Sequence, residues 1–224
     1  MKVKTLFMAS LAAVSLCSCG KEDTSWRDAL LNEVAGEYHL VGYGWQGPSV
    51  DVNGDGKAEA DFLPWFLDVM GGTYWKESLK MDVTVTSDRF WEGRAAGRFP
   101  SSCGINESSW PTLLSFKYAV TKDGLSFSDA EVFYGAHEDN EILTILSDPG
   151  IEFAKDNLSA DIRYITVNCS ASVYDYLTDT YVAGTVALTY VTSPYFTEEN
   201  RVVTVQGATA DGMVTYTYDL KAGK

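Results

Sequence analysis

Basic residues and histidines are scarce in this chain, which narrows the functions open to it. The 224 residues include 17 lysines and arginines against 31 aspartates and glutamates, a formal net charge of −14 at pH 7. Nucleic acid and anionic lipid are both bound through Lys and Arg, so this balance argues against either as a partner. Two histidines and four cysteines, without a Cys-x-x-Cys pair, argue against a zinc site.

Patterns that indicate catalysis are also lacking. His39 falls on a predicted strand and His137 in a predicted loop, and no Gly-x-Ser-x-Gly segment accompanies either. Acidic residues are plentiful, but glycoside hydrolysis depends on the separation of two carboxylates, which a sequence does not reveal. We therefore predict that the protein is not an enzyme and has no catalytic residues; an extracellular hydrolase is the third-ranked alternative.

Long apolar runs are absent except near the N-terminus. The run from Leu6 to Leu16 follows Lys2 and Lys4, and its roughly ten residues are half of what a membrane-spanning helix needs. This predicts a secretory signal peptide over residues 1–18. The segment Leu16-Cys17-Ser18-Cys19 resembles the bacterial lipobox, which implies an acyl anchor, with palmitate among its chains, on Cys19.

The residues after the lipobox indicate a location. Gly20-Lys21-Glu22-Asp23 looks like the signal that sends lipoproteins of the Bacteroidota to the outer face of the outer membrane. The resemblance implies a lipidated tether over residues 19–29 and a lipid-anchored protein facing the cell exterior. Because that compartment is oxidising, we predict a disulfide between Cys103 and Cys169, worth about 3–4 kcal/mol by loop closure; two separate buried thiols are the alternative.

The remaining chain, residues 30–224, is predicted to be one all-β domain after a short helix. Ser25 and Asp28 have the spacing of a capping box, and Gly36 ends the helix. Apolar and polar residues then alternate along about nine or ten strands, with Asp-Gly turns at Asp123 and Asp211. We expect a single antiparallel β-barrel or a closed β-sandwich with one or two short helices, because closure removes aggregation-prone edges.

One acidic loop has the spacing of a cation site. Its oxygen-bearing residues stand at positions 1, 3, 5 and 9, with Gly56 at position 6, as in loops that bind Ca²⁺. Phe62 replaces the final Glu and no helix precedes the loop, so it is not an EF-hand; the alternative is a polar turn without metal. The predicted Ca²⁺ ligands are Asp51, Asn53, Asp55, Lys57 (through its carbonyl), Glu59 and Asp61.

Asp61 also has the position of a helix cap. The apolar run after it, with Pro64 near its start and Gly71-Gly72 beyond it, predicts a short helix packed over one end of the barrel. The order of these features resembles that of the lipocalin-like lipoproteins of the Bacteroidota: a lipobox, a short helix, Gly36-Glu37-Tyr38, the acidic loop and the apolar helix. The resemblance implies a calycin-type barrel with Tyr38 in place of the usual Trp, and Arg201 as its partner.

Two groups of side chains are candidates for ligand binding. Arginines alternating with aromatic residues can stack on sugars or bind carboxylates, although balancing the acidic surface is the plainer explanation. This group comprises Arg89, Trp91, Arg94 and Arg98. A second group is expected to lie mostly in the core; it comprises Tyr174, Tyr176, Tyr181, Tyr190 and Tyr195.

The first functional hypothesis is a surface-anchored protein that binds a small apolar or glycan-type ligand. A hollow barrel lined by apolar side chains such as Phe116, Tyr118 and Tyr216 would favour this hypothesis. The alternative is a structural or accessory lipoprotein that docks an outer-membrane protein and binds no small ligand; a filled barrel with an exposed apolar patch would favour it.

Overall fold

The computed structural model describes residues 22–69, 80–99, 113–133, 142–155 and 162–192, and the backbone of three strands beyond them. The two helices are α1, Ser25–Val34, and α2, Leu63–Val69. The strands are β1 Gly36–Gln46, β2 Lys80–Ser87, β3 Glu92–Arg98, β4 Leu113–Thr121, β5 Gly124–Phe133, β6 Leu143–Ile145, β7 Gly150–Lys155, β8 Arg163–Asp175, β9 Thr180–Thr192, β10 Thr197–Glu199, β11 Val202–Thr209 and β12 Gly212–Asp219.

Nine strands form one antiparallel sheet that curls into a nearly closed barrel. The strand order is β5-β4-β3-β2-β1-β9-β8, and both β6 and β7 pair with the far side of β8. Strands β10, β11 and β12 form a separate three-stranded sheet. The prediction of an all-β barrel with short helices is confirmed, including the Asp123-Gly124 hairpin, in which Thr121 pairs with Gly124. The described strands number twelve, more than the nine or ten expected.

The strand directions give the barrel two distinct ends. The near end contains α1, the start of β1 and the end of β9, while the far end contains the end of β1 and the hairpin between β8 and β9. Strands β8 and β9 each have 13 residues. At a rise of about 3.3 Å per residue, the two ends are about 40 Å apart.

The described interior of the barrel is filled by its own side chains. Inward-facing residues from four strands are each at most 1% exposed, so no water-sized space adjoins them. They include Tyr38, Leu40, Phe116, Tyr118, Ile165, Val167, Leu188 and Tyr190. Phe116 and Tyr118 therefore belong to a packed core; the side chain of Tyr216 lies outside the described residues.

Helix α1 closes the near end. Its last carbonyls lack helical partners and accept hydrogen bonds from strand side chains instead. The Tyr38 hydroxyl donates to the Val34 carbonyl at 2.8 Å, and the Tyr118 hydroxyl donates to the Leu31 carbonyl at 3.3 Å. The Arg163 guanidinium donates to the Glu33 carbonyl. These bonds tie α1 to β1, β4 and β8.

The predicted start of α1 needs correction. The Ser25 N–H donates to the Asp23 carboxylate at 3.0 Å, whereas Asp28 accepts a hydrogen bond from the Trp91 indole at 2.6 Å. Asp28 therefore joins α1 to the barrel and does not complete a capping box, because Trp91 competes for its carboxylate. The proposed domain boundary at residue 30 falls inside α1, which packs on the barrel.

Helix α2 covers the far end, as the sequence predicts. The Asp61 carboxylate accepts the Leu63 N–H at 3.1 Å, which caps the helix. Trp45 stacks on Phe62 with centroids 5.7 Å apart, and Tyr43 meets the edge of Phe62 at 5.6 Å. Among the described residues, no helix is long and apolar enough to cross a membrane.

Candidate ligand-binding site at the far end

Three tyrosines form a cluster on the outer surface of the β8–β9 hairpin. Tyr174 and Tyr181 are direct cross-strand neighbours, and their ring centroids lie 5.3 Å apart. Tyr176, the first residue of the turn, meets Tyr174 edge to face at 4.9 Å. Tyr176 is 47% exposed and Tyr181 is 57% exposed. Below, these three residues are called the tyrosine cluster.

The turn beneath the cluster is held by the buried carboxylate of Asp175. It accepts hydrogen bonds from the Asp51 N–H at 2.9 Å, the Leu177 N–H at 3.2 Å and the Thr178 hydroxyl at 2.7 Å. These donors, the Thr178 hydroxyl foremost, hold the pKa of Asp175 below its ordinary value. The turn is thus fixed by an anion that stays charged at neutral pH.

The acidic loop forms the second support of the cluster. Asp51 is 1% exposed, and its carboxylate accepts the N–H groups of Asn53, Gly54 and Gly56 at 3.2, 2.7 and 2.8 Å. Its carbonyl accepts the Tyr176 N–H at 2.9 Å. Asp51 thereby joins two segments more than a hundred residues apart, and the loop and the hairpin form one unit.

Two glycines allow the loop to turn under the tyrosines. Gly54 and Gly56 have φ angles of +75° and +84°, a region that glycine adopts without strain. A side chain at Gly54 would begin 3.7 Å from the Tyr176 ring. The loop therefore lies directly against the cluster.

The predicted Ca²⁺ ligands are distributed along this loop. Asp51 and Asn53 accept backbone N–H groups, Asp55 accepts the Lys57 N–H at 2.9 Å, and Asp61 caps α2. Within the described residues, no three His, Cys, Asp or Glu side chains are arranged to hold a metal ion. Glu59 pairs through its backbone with Val50. Ca²⁺ binding stays a prediction that rests on the spacing.

The three described side chains of the predicted arginine-aromatic site have different surroundings. Trp91 is half-buried against α1, where the Arg27 guanidinium lies 4.9 Å from its ring centroid. Arg89 is exposed beside Phe90 at the near end, and Arg94 is exposed on the outer face of β3. Arg98 ends β3 towards the far end, and its side chain lies outside the described residues. Trp91 is engaged by α1 while Arg89 and Arg94 are exposed, and ligand binding by this group stays a prediction.

The predicted core tyrosines also divide. Tyr190 is fully buried as expected, whereas the exposure of Tyr176 and Tyr181 corrects their expected placement in the core. Tyr195 lies outside the described residues. The alternation of β8 puts Tyr174 on the outer face, because Val173 and Asp175 are the buried residues on either side of it.

Two further predictions concern residues only partly described. Cys169 is buried and bonded to no other described cysteine, and burial raises the pKa of its thiol to about 12. Cys103, like Cys19, His137 and Arg201, lies outside the described residues, so the disulfide and the lipidation stay predictions. The predicted partner of Tyr38, Arg201, is thus not described. At the near end the guanidinium of Arg163 lies beside Gly36, and a Cβ atom added to Gly36 would lie 3.3 Å from it.

Comparison of the chain with protein-family models, with curated proteins and with solved structures finds no match. The candidate site therefore rests on its own geometry. Sequence analysis identified the acidic loop but missed Asp175 and its hydrogen bonds. The Asp-x-x-Thr spacing of Asp175 and Thr178 is the one local signal that indicates such a turn.

Proposed function

We propose that this chain is a membrane-tethered, extracellular binding protein that takes a glycan-type ligand on the tyrosine cluster. The observation that carries the proposal is the exposure of Tyr176 and Tyr181 on a hairpin whose turn is fixed by the Asp175 carboxylate and the main chain of Asp51. Exposed aromatic rings held rigidly in place lose little entropy when a ligand binds.

The chemistry of the cluster suits sugars. A tyrosine presents an apolar ring face to the C–H groups of a pyranose and a hydroxyl to its oxygens. The packed interior gives an apolar ligand no room among the described inward-facing residues, which favours the glycan alternative over a buried small molecule. Carboxylates stand close by, since the Tyr174 hydroxyl donates to Asp179 and Asp55 follows Gly54. They favour neutral glycans over uronic or sialic acids.

The position of the cluster fits a tethered receptor. The proposed acyl anchor on Cys19 precedes α1, which lies at the near end. The tyrosine cluster lies at the far end, about 40 Å away along β8 and β9. A protein anchored this way would present its tyrosines away from its own membrane.

A glycan array tests the proposal. The purified full-length protein in detergent is screened against neutral and acidic glycans, and the best neutral glycan is titrated by calorimetry. We expect Tyr176→Ala and Tyr181→Ala each to weaken binding at least tenfold. The matched control is Phe90→Ala, which removes an aromatic side chain 64% exposed at the near end and should change affinity less than twofold. Equal binding by all three variants would overturn the proposal.

A second function, docking an outer-membrane protein, is favoured by one observation. Leu113 and Phe133 form an exposed apolar cross-strand pair where β4 begins and β5 ends, and Leu177 is exposed in the hairpin turn. If docking is the function, Phe133→Ser should release a co-purifying membrane protein while Tyr181→Ala retains it. The opposite pattern, or loss from neither variant, would exclude this surface as the docking site.

A further inference from the structure

A cleft of about 560 Å³ lies between β5 and β7, where the barrel sheet does not close. Residues 127–131 line one side and residues 148–151 line the other. Among the described strands, β5 pairs only with β4, and β7 pairs only with β8. Each strand therefore turns an edge of main-chain N–H and C=O groups towards the cleft without a strand partner.

The floor of the cleft is apolar. Phe127, Ala130 and Ile151 line it and are only half-buried, although they pack against the core. Many inward-facing residues elsewhere in the described barrel are at most 1% exposed, Phe116 and Val167 among them. The gap therefore leaves core-facing apolar surface accessible at this seam of the described sheet.

The rim of the cleft is acidic. Asp129, Glu131 and Asp148 are exposed along it, and no lysine or arginine is among the described residues that line it. Lys117, on the neighbouring strand, forms an ion pair with Asp129 at 2.6 Å. The other two carboxylates, of Glu131 and Asp148, remain available to a positively charged occupant.

The two edges are not equivalent. Asp129 has a φ of +49°, and the β4–β5 register shifts between Ser115 and Lys117, so a bulge interrupts β5 beside the cleft. The pairing of β7 with β8 is continuous from Gly150 to Lys155. The regular edge that can template a further strand is therefore β7.

We propose that β7 accepts an extended peptide from a partner protein, with alternating apolar and basic residues. Main-chain bonds to β7 would supply the unmade sheet pairing, as in other cases of strand addition. Apolar side chains of the peptide would cover Phe127 and Ile151, and its Lys or Arg side chains would meet Glu131 and Asp148. The six residues of β7 set its length at about 20 Å of extended chain. The proposal is independent of glycan binding.

A labelled octapeptide of alternating lysine and valine is the probe, titrated by fluorescence anisotropy against the full-length protein in detergent. Two matched peptides separate the contributions: one carries N-methyl groups on alternate amides, and the other has glutamate in place of lysine. We expect both to bind at least tenfold more weakly than the parent. Glu131→Lys and Asp148→Lys should weaken the parent peptide at least fivefold each. Glu92→Lys, the same charge change on exposed β3, should alter affinity less than twofold.

Three results would overturn the proposal. Equal binding of the N-methylated peptide would show that charge alone attracts the probe. Unchanged affinity in both cleft variants would place the peptide elsewhere. A dimer in sedimentation that Glu131→Lys dissociates would show that a second copy of the chain occupies the cleft.

Discussion

At the residue scale, three side chains attach α1 to the near end of the barrel. Tyr38, Tyr118 and Arg163 bind carbonyls of the last turn of α1, which its own N–H groups cannot reach. Burial raises the pKa of both tyrosines, that of Tyr118 to about 12, so their hydroxyls remain donors at neutral pH. Hydrogen bonds from three strands therefore fix the helix, and no local capping pattern predicts them.

Removing one of these hydroxyls should loosen the near end. In Tyr38→Phe the Val34 carbonyl loses its 2.8 Å hydrogen bond while the ring remains. We expect the free energy of unfolding, measured in urea, to fall by about 1–2 kcal/mol. Tyr176→Phe, at an exposed tyrosine, is the control and should change it by less than about 0.5 kcal/mol. Equal stability of both variants would refute the role of Tyr38.

His39 makes stability depend on pH. Burial lowers its pKa to about 4, against the opposing attraction of Glu37, whereas the unfolded value is about 6.5. Between these two pH values His39 is protonated in the unfolded chain but neutral in the folded chain. The free energy of unfolding therefore falls as the pH drops from about 6.5 towards 4. Lys80 also lowers this pKa and Asp82 raises it, both more weakly.

Between pH 7.5 and pH 5.0 we expect His39 to account for about 1–2 kcal/mol of lost stability. His39→Gln should remove that share of the pH dependence while leaving the contribution of the carboxylates. The measurement is urea unfolding of both proteins at the two pH values. Parallel pH profiles would show that His39 does not titrate differently in the folded state.

At the element scale, the far end depends on a close fit between β1 and β9. The Trp45 ring lies over Gly184, where a side chain would begin 2.5 Å from the ring and 2.8 Å from the Gln46 carbonyl. The indole N–H donates to the Pro48 carbonyl at 2.7 Å, so Trp45 cannot move away freely. Only glycine fits beneath it.

Gly184→Ala should therefore destabilise the protein by about 1–3 kcal/mol through overpacking. Gly44→Ala, on the adjacent strand, is the matched control, since its nearest neighbour would be an ordinary 3.8 Å away. Thermal unfolding of both variants checks the difference. A Gly44 variant as unstable as the Gly184 variant would mean that loss of strand glycines, not contact with Trp45, is responsible.

The acidic loop gives the Ca²⁺ prediction its test. If the spacing of Asp51, Asn53 and Asp55 binds the ion, Ca²⁺ should raise the melting temperature of the unmutated protein relative to a chelator. Asp55→Ala should abolish the rise with little other change, because Asp55 is exposed. Asp51→Ala should abolish it too and lower the basal melting temperature, since Asp51 supports the loop. If the unmutated protein melts at the same temperature with Ca²⁺ and with a chelator, the Ca²⁺ prediction is wrong.

These elements show how far the sequence leads. Alternation and the Asp123-Gly124 turn predict the sheet, and Asp61 with Pro64 predicts α2, because those signals are local. The sequence indicated Tyr174, Tyr176 and Tyr181 as candidates but placed them mostly in the core, because alternation alone does not say which face of β8 turns outward. The support of Asp51 by Asp175 depends on tertiary contact across the chain.

At the scale of the whole molecule, the proposed tether would lie at the near end and the proposed binding surface at the far end. The described barrel between them is packed and closed by a helix at each end. The net charge of −14 suits a surface that neither nucleic acid nor anionic lipid attracts. The tether would then be the sole link to the membrane.

Cys19→Ala should therefore release the protein from the membrane fraction into the soluble fraction. The unmutated protein should remain with membranes and be cleaved by protease added to intact cells. Fractionation and immunoblotting check both expectations. Membrane retention of the variant, or resistance of the unmutated protein to external protease, would contradict the proposed anchor or its orientation.

The most direct measurement is oxidative footprinting of the full-length protein with and without a saturating neutral glycan, read residue by residue by mass spectrometry. We expect protection of Tyr176 and Tyr181 at the far end and unchanged oxidation of Trp26 and Phe90 at the near end, since all four are exposed without the glycan. Protection of the near-end pair, or unprotected tyrosines under a bound glycan, would contradict this expectation.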